Sequence, residues 1–190
     1  MTEQEFFYDF QQDMIARSGA EENYTRSEFL EYMCSLMEQE GLFSGYDTTE
    51  HKSTAGRSKI AVDAWSFDDE RSCLHLVIAD YRSSMELEVL TNTDIKNLFR
   101  RLRGFVQEAF KDTFKEALEE SDPVVQLAWF INEQHRHRSI SKINLILVSN
   151  ANLSGRVAEL PDDQVGEYHT VYEVWELGRV YRIENSGKSR

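Results

Sequence analysis

Lys59-Ile-Ala-Val-Asp-Ala-Trp-Ser-Phe67 and Cys73-Leu-His-Leu-Val-Ile-Ala-Asp-Tyr-Arg82 are two apolar stretches joined by the polar link Asp68-Asp-Glu-Arg-Ser72. Their length and their turn-forming junction predict two neighbouring strands. Each strand carries one acid among apolar residues, Asp63 in the first and Asp80 in the second. A carboxylate buried alone in a sheet is costly, so each must reach solvent, a hydrogen bond, a cation or a metal. Strict alternation would put Ala61, Asp63 and Trp65 on one face, with Ile60, Val62 and Ala64 on the other. In the second strand Leu74, Leu76, Ile78 and Asp80 share a face, and Arg82 points the same way.

On the N-terminal side, Phe6, Phe7, Phe10 and Met14 recur at helical spacing, and Gly19 is placed to end that helix. A second helix is predicted from Thr25-Arg-Ser-Glu28, which has capping-box spacing. Its buried stripe is Phe29, Met33, Leu36 and Met37, and Gly41 stands at its end. Residues 1–41 thus read as an acidic helical hairpin packed on a core formed by 42–190. A short strand is expected at Leu42 to Tyr46, followed by a flexible stretch from His51 to Gly56.

On the C-terminal side, a long helix begins near Thr91 or Thr93. Its apolar stripe runs through Ile95, Leu98, Phe99, Leu102, Phe105 and Val106 to Phe110 and Phe114. Ser121-Asp122-Pro123 opens another helix, and Lys142 to Ser149 reads as a strand covered on both faces. Tyr168 to Asn185 reads as a short strand running into a helix. The fold class is therefore α/β, a mixed sheet flanked by helices.

The chain has 190 residues, 41% of them hydrophobic, and only two prolines, which favours a packed core over disorder. Its net charge of −13 is uneven. Residues 1–50 hold twelve acids and two bases, leaving the remainder nearly neutral. Such a surface disfavours tight nonspecific binding of nucleic acid, although a local basic face could still exist. Arg100, Arg101, Arg103, Arg136 and Arg138 are the candidate nucleic-acid contacts, against the plainer reading of solvated helix surface. The two cysteines have no metal-ligand spacing, and no signal sequence is visible, so a reducing cytoplasm is the expected location. No apolar run approaches the roughly 20 residues that cross a bilayer.

Helix, strand, strand hairpin, long helix and strand, in that order, are what a restriction-endonuclease-like core requires. Its chemistry uses an acid on one strand and acid-x-lysine on the next, two carboxylates holding Mg²⁺ while the lysine steadies the attacking water. Asp63 and Asp80 are the candidate catalytic and Mg²⁺-binding residues, with Arg82 in the lysine position. Arginine stays protonated and cannot take a proton from water, so a structural Asp80–Arg82 pair competes with this reading. His75 is a further candidate ligand. A phosphate-binding glycine loop, serine elbow, paired-histidine zinc motif and Cys-x-x-Cys are all absent from the sequence.

Four segments together resemble the N-terminal region of the AIPR family, the abortive-phage-infection resistance proteins of bacteria. They are Ile60 to Phe67, Cys73 to Asp80, Leu90-Thr-Asn-Thr-Asp-Ile95 and Tyr172-Glu-Val-Trp-Glu-Leu-Gly-Arg-Val-Tyr181. The last is similar to the family's Val-Trp-Asp-x-x-Arg-Leu segment, with Glu176 for Asp and Val180 for Leu. The resemblance implies a role in phage defence and a nuclease-like domain, degenerate where Arg82 replaces lysine. It also implies that the chain is the N-terminal part of a longer protein. The alternative is a non-catalytic interaction or oligomerisation module, with Trp175 and Tyr181 docking onto the C-terminal region of the same protein, a partner or a second copy.

Overall fold

The computed structural model describes residues 1–19, 21–155 and 159–188. In chain order the elements are α1 (Glu3–Ser18), α2 (Glu22–Gln39), β1 (Asp47–Ala55), β2 (Ser58–Asp68), β3 (Cys73–Asp80), β4 (Val89–Leu90) and α3 (Asn92–Ala109). There follow α4 (Asp112–Ala117), α5 (Val125–Arg136), β5 (Lys142–Ser149), β6 (Asn152–Leu153), β7 (Asp163–Val165), β8 (Tyr168–Trp175) and α6 (Leu177–Lys188). Six strands form one mixed sheet in the order β1-β2-β3-β5-β8-β7. The β1–β2, β2–β3 and β7–β8 pairs are antiparallel, while β3–β5 and β5–β8 are parallel. The expected mixed α/β class is the one observed.

Helices cover both faces of the sheet, which is why its central strands are apolar almost throughout. On one face, Phe7, Phe10 and Met14 of α1, Phe29 and Met33 of α2, and Val180 of α6 pack with Val77, Ala79, Ile146 and Val148. On the other, Ile95, Phe99, Leu102 and Phe105 of α3, with Leu127 and Ile131 of α5, pack on Leu74, Leu76, Ile78, Leu145 and Leu147. Each helix thus buries one apolar stripe. The strand-to-helix reading of the tail matches β8 and α6.

Five local expectations change. The second helix starts at Glu22 rather than Thr25, whose hydroxyl bonds the Glu21 carbonyl and lies 2.6 Å from Ser18 Oγ, tying α2 to α1 instead of capping a helix. No strand forms at 42–46, and the stretch expected to be flexible belongs to β1, whose Thr49 and His51 are buried against β2. Gly56, at φ +64°, makes the tight turn between them. The long helix has its capping box at Thr91 and Asp94 but stops at Ala109. There the buried Asn132 side chain donates to Phe110 O and Asp112 Oδ1, diverting the chain into α4. The next helix starts at Val125, after a turn in which Asp122 accepts from the Val124 N–H, so Pro123 precedes it rather than opening it.

Candidate functional site

Asp63 lies at a defect in the sheet. The β1–β2 register shifts between Thr48 and His51, so Thr49 and Glu50 together face Asp63. Glu50 takes a positive φ of 43° there, and Thr49 Oγ1 donates to Val62 O at 2.8 Å. The β2–β3 ladder begins only at Ala64 and Val77. In its place the Ala79 N–H donates to Asp63 Oδ2 at 2.7 Å, the carboxylate standing in for a backbone carbonyl. The bulge also corrects the alternation expected for β2. Ile60, Ala61, Val62 and Trp65 all join the α3-side core, and Ala64 joins the other.

The second oxygen of Asp63 is engaged as well. Arg26 Nη2, from α2, donates to Asp63 Oδ1 at 2.9 Å, and Arg26 Nη1 reaches Glu50 Oε1 at 3.1 Å. Asp63 itself is 0% exposed. Burial pushes its carboxyl pKa upward, against the downward pull of the Arg26 charge and the Ala79 N–H. Each carboxylate oxygen therefore has a charge-assisted or backbone donor, which is what makes an acid tolerable at this depth.

Asp80 belongs to a different network at the C-terminal end of β3. Ser149 Oγ donates to its Oδ2 at 2.8 Å and Arg82 Nε at 3.1 Å. The same guanidinium reaches Asp94 Oδ2 at 3.2 Å and Val89 O at 3.1 Å, joining the sheet to the first turn of α3. Burial works against the charge of Arg82, but Asp80 and Asp94 outweigh it and hold its pKa above the ordinary arginine value. Asp94 is lowered, first by the Thr91 N–H of its own cap. The buried Gln11 and Asn150 amides donate to the Arg82 carbonyl at 3.0 and 2.8 Å, fixing the backbone at this position.

Asp63 and Asp80 share no hydrogen-bond partner among the described residues, and each answers to its own arginine. Magnesium needs near-octahedral oxygen ligands. With Arg26 and Ala79 on both Asp63 oxygens, this donor set does not fit that ion. Among the described residues no group of three or more His, Cys, Asp or Glu is arranged to hold a metal. His75 does not approach either acid through a hydrogen bond; its Nδ1 lies 3.1 Å from Asn144 Nδ2 on the neighbouring strand.

The arginines expected as nucleic-acid contacts lie on or just after helices of the α3 side, across the sheet from Arg26. Arg100 and Arg136 are exposed, and Arg101 is half-buried. Arg103 donates to Tyr172 Oη at 2.9 Å and lies 3.6 Å from Asp163, while Arg138 pairs with Glu167 at 3.3 Å. Trp175 is turned inward, only 3% exposed, with the Arg179 guanidinium 3.6 Å from its ring centre. Tyr181 packs edge-on against Phe6 and donates to Met1 O. Both aromatics of the expected docking tail make their contacts within the chain.

Arg26 is the functional neighbour that the sequence reading missed. Its signal was present: residues 26, 29, 33 and 37 fall on one helical face, and a lone base on a buried stripe calls for a buried acid. Gln11, Asn144 and Asn150 were missed too, as polar residues inside apolar patterns.

No helix among the described residues is long and apolar enough to cross a membrane. Comparison with curated proteins and with solved structures found no match. The family model for the abortive infection phage resistance protein N-terminal domain matches residues 29–182, from α2 into α6, and the chain belongs to that family.

Proposed function

We propose that this domain serves phage defence as a nuclease-like fold that does not itself cut nucleic acid. The observation carrying this reading is the Arg26–Asp63 pair, in which a guanidinium occupies the carboxylate oxygen that a catalytic metal would need. Two further features support it. The element order α2, β1, β2–β3, α3, β5 is that of a restriction-endonuclease-like core, although α4 and α5 intervene before β5. Arg82 is committed to two carboxylates and cannot act as a base at neutral pH. An interaction module docking through Trp175 draws less support, because α6 already covers that side chain.

The test is a cleavage assay on single- and double-stranded DNA and RNA with Mg²⁺ or Mn²⁺, comparing wild type, Asp63→Ala and Arg82→Lys. All three are expected to leave the substrates intact. Metal-dependent cutting by the wild type that disappears in Asp63→Ala would sink the proposal.

A further inference from the structure

The sheet ends at β1, whose residues 51 to 55 pair with 58 to 62 of β2 and leave the opposite edge open. His51 and Ser53, two positions apart on that strand, project from one face, toward α3 and α4. His51 is 8% exposed, its ring centre 6.1 Å from that of Phe105 and 6.4 Å from that of Phe114. Its Nε2 lies 2.9 Å from Ser53 Oγ, and its Nδ1 lies 3.3 Å from Oδ2 of Asp122, in the turn before α5. The other oxygen of Asp122 accepts the Val124 N–H at 3.0 Å, so a backbone bond aims the carboxylate at the ring. Serine, histidine and aspartate thus stand in series, although no serine-elbow motif surrounds Ser53.

The chemistry of the three groups fixes the direction of the series. A carboxylate only accepts, so the neutral ring carries its proton on Nδ1, facing Asp122, and Nε2 is left to accept the Ser53 hydroxyl proton. Ser53 is half-buried, and its Oγ has no other hydrogen-bond partner among the described residues. A tie between β1 and the turn before α5 needs only His51 and Asp122; the hydroxyl adds nothing to it. Backbone donors flank the serine as well. In the two-residue hairpin closed by Ala55 and Ser58, the pairs 55/58, 53/60 and 51/62 exchange the ladder hydrogen bonds. The N–H groups of Lys52 and Thr54 therefore point away from β2 at the open edge, one on each side of Ser53, where a developing oxyanion needs donors.

We propose that Ser53, His51 and Asp122 form a hydrolytic triad acting on short-chain carboxylic esters. Ser53 Oγ attacks the ester carbonyl carbon while His51 Nε2 takes the hydroxyl proton, and the edge N–H groups receive the carbonyl oxygen as it becomes anionic. Collapse of the tetrahedral adduct breaks the bond to the alkoxide, which takes the proton from Nε2 and leaves as an alcohol. Water then attacks the acyl-serine in the same way, releasing a carboxylic acid and restoring Ser53. Ser53 and His51 are the catalytic residues, and Asp122 is a positioning residue that holds the ring and its tautomer. Ala55 and Ser58, small neighbours of Ser53 on that face of the hairpin, leave room for a short acyl chain without building a slot for a long one. The reaction uses no metal and neither member of the Arg26–Asp63 pair, so its failure would leave the non-cleaving reading untouched, and the reverse holds as well.

The experiment is hydrolysis of p-nitrophenyl acetate and p-nitrophenyl octanoate by the wild-type chain, together with a fluorophosphonate probe whose attachment site is read by mass spectrometry. Acetate turnover above the buffer rate, insensitive to EDTA and faster than octanoate turnover, is expected, with the phosphonate on Ser53; the labelling requires no substitution. Ser53→Ala should lower the rate about hundredfold or more while its unfolding midpoint stays that of the wild type. Asp122→Asn keeps an acceptor for the Val124 N–H but can turn its amide donor toward Nδ1, moving the ring proton to Nε2. It should lower kcat about hundredfold or more with KM unchanged, whereas a merely structural aspartate would leave kcat where it was. No turnover above buffer, a phosphonate attached elsewhere, wild-type activity in Ser53→Ala, wild-type kcat in Asp122→Asn, or faster turnover of octanoate than of acetate would each overturn the assignment.

Discussion

Arg26 Nη2 on α2 donates to Asp63 Oδ1 on β2 at 2.9 Å, across a sequence separation of 37 residues, and this bond joins the helical hairpin to a break in the sheet ladder. It explains why an acid can be fully buried at the centre of this fold. It also removes that acid from the solvent-facing role that a catalytic carboxylate requires.

Removing the cation should therefore cost more than removing a surface salt bridge. Arg26→Ala leaves Asp63 charged and uncompensated, and is expected to lower stability by about 3–5 kcal/mol at pH 7, read by urea denaturation. The sign of the pH dependence follows from the direction of the Asp63 shift, which burial raises. A raised carboxyl pKa favours the protonated folded form, so stability is fully present below the unfolded pKa and lost as pH rises through the folded one. Without Arg26 that pKa climbs further, and the deficit of the variant should shrink between pH 7 and pH 5. A deficit that is constant or grows on acidification would refute the account.

Replacing both partners should be milder than replacing one. Arg26→Met with Asp63→Leu restores apolar volume and removes both desolvated charges, and is expected to be at least about 2 kcal/mol more stable than Arg26→Ala. A double variant less stable than Arg26→Ala would show that the Ala79 N–H, deprived of its acceptor, dominates the energetics.

Arg82, paired with Asp80 at the C-terminal end of β3, works as a clasp on α3. Arg82→Ala removes its bonds to Asp80, Asp94 and Val89 O, with an expected loss of about 1–3 kcal/mol. Amide exchange should accelerate in the first turn of α3 while the β3–β5 pairing stays protected. Uniform acceleration across the sheet would contradict a local role.

Gly104 sits within α3, where a Cβ would come within 2.9 Å of Ile60 Cγ2 on β2. Gly104→Ala gains about 1 kcal/mol of helix propensity and loses about 1–3 kcal/mol to overpacking, for an expected net destabilisation in thermal or urea unfolding. Ile60→Ala deletes the clashing methyl, so the pair should cost less than the sum of the single changes. Stabilisation by Gly104→Ala alone would show that the helix can shift away from the sheet.

Several elements were legible because their signals are local. The stripe from Ile95 to Val106 predicted α3, the run from Lys142 to Ser149 predicted β5, and Gly19, in the left-handed conformation at φ +73°, ended α1 where the pattern placed it. Alternation failed in β2 because a bulge, set by β1 rather than by β2 itself, changes which side chains face which layer. The Thr25 capping box failed because its hydroxyl was taken by Ser18 of another helix. A neighbouring strand in the first case and a neighbouring helix in the second overrode the short-range pattern.

The chain's own residues specify amphipathic helices, apolar strands and the α/β class, since helical and strand periods are properties of neighbours within one or two turns. They also place an acid in each of two adjoining strands. The Asp80–Arg82 pair was legible from two-residue spacing, but which group neutralises Asp63, and that His75, Asn144 and Glu173 come to stand side by side, follow only from the stacking of layers and the order β3-β5-β8. Those contacts join residues 29 to 69 positions apart, and burial energy rather than any local preference selects them.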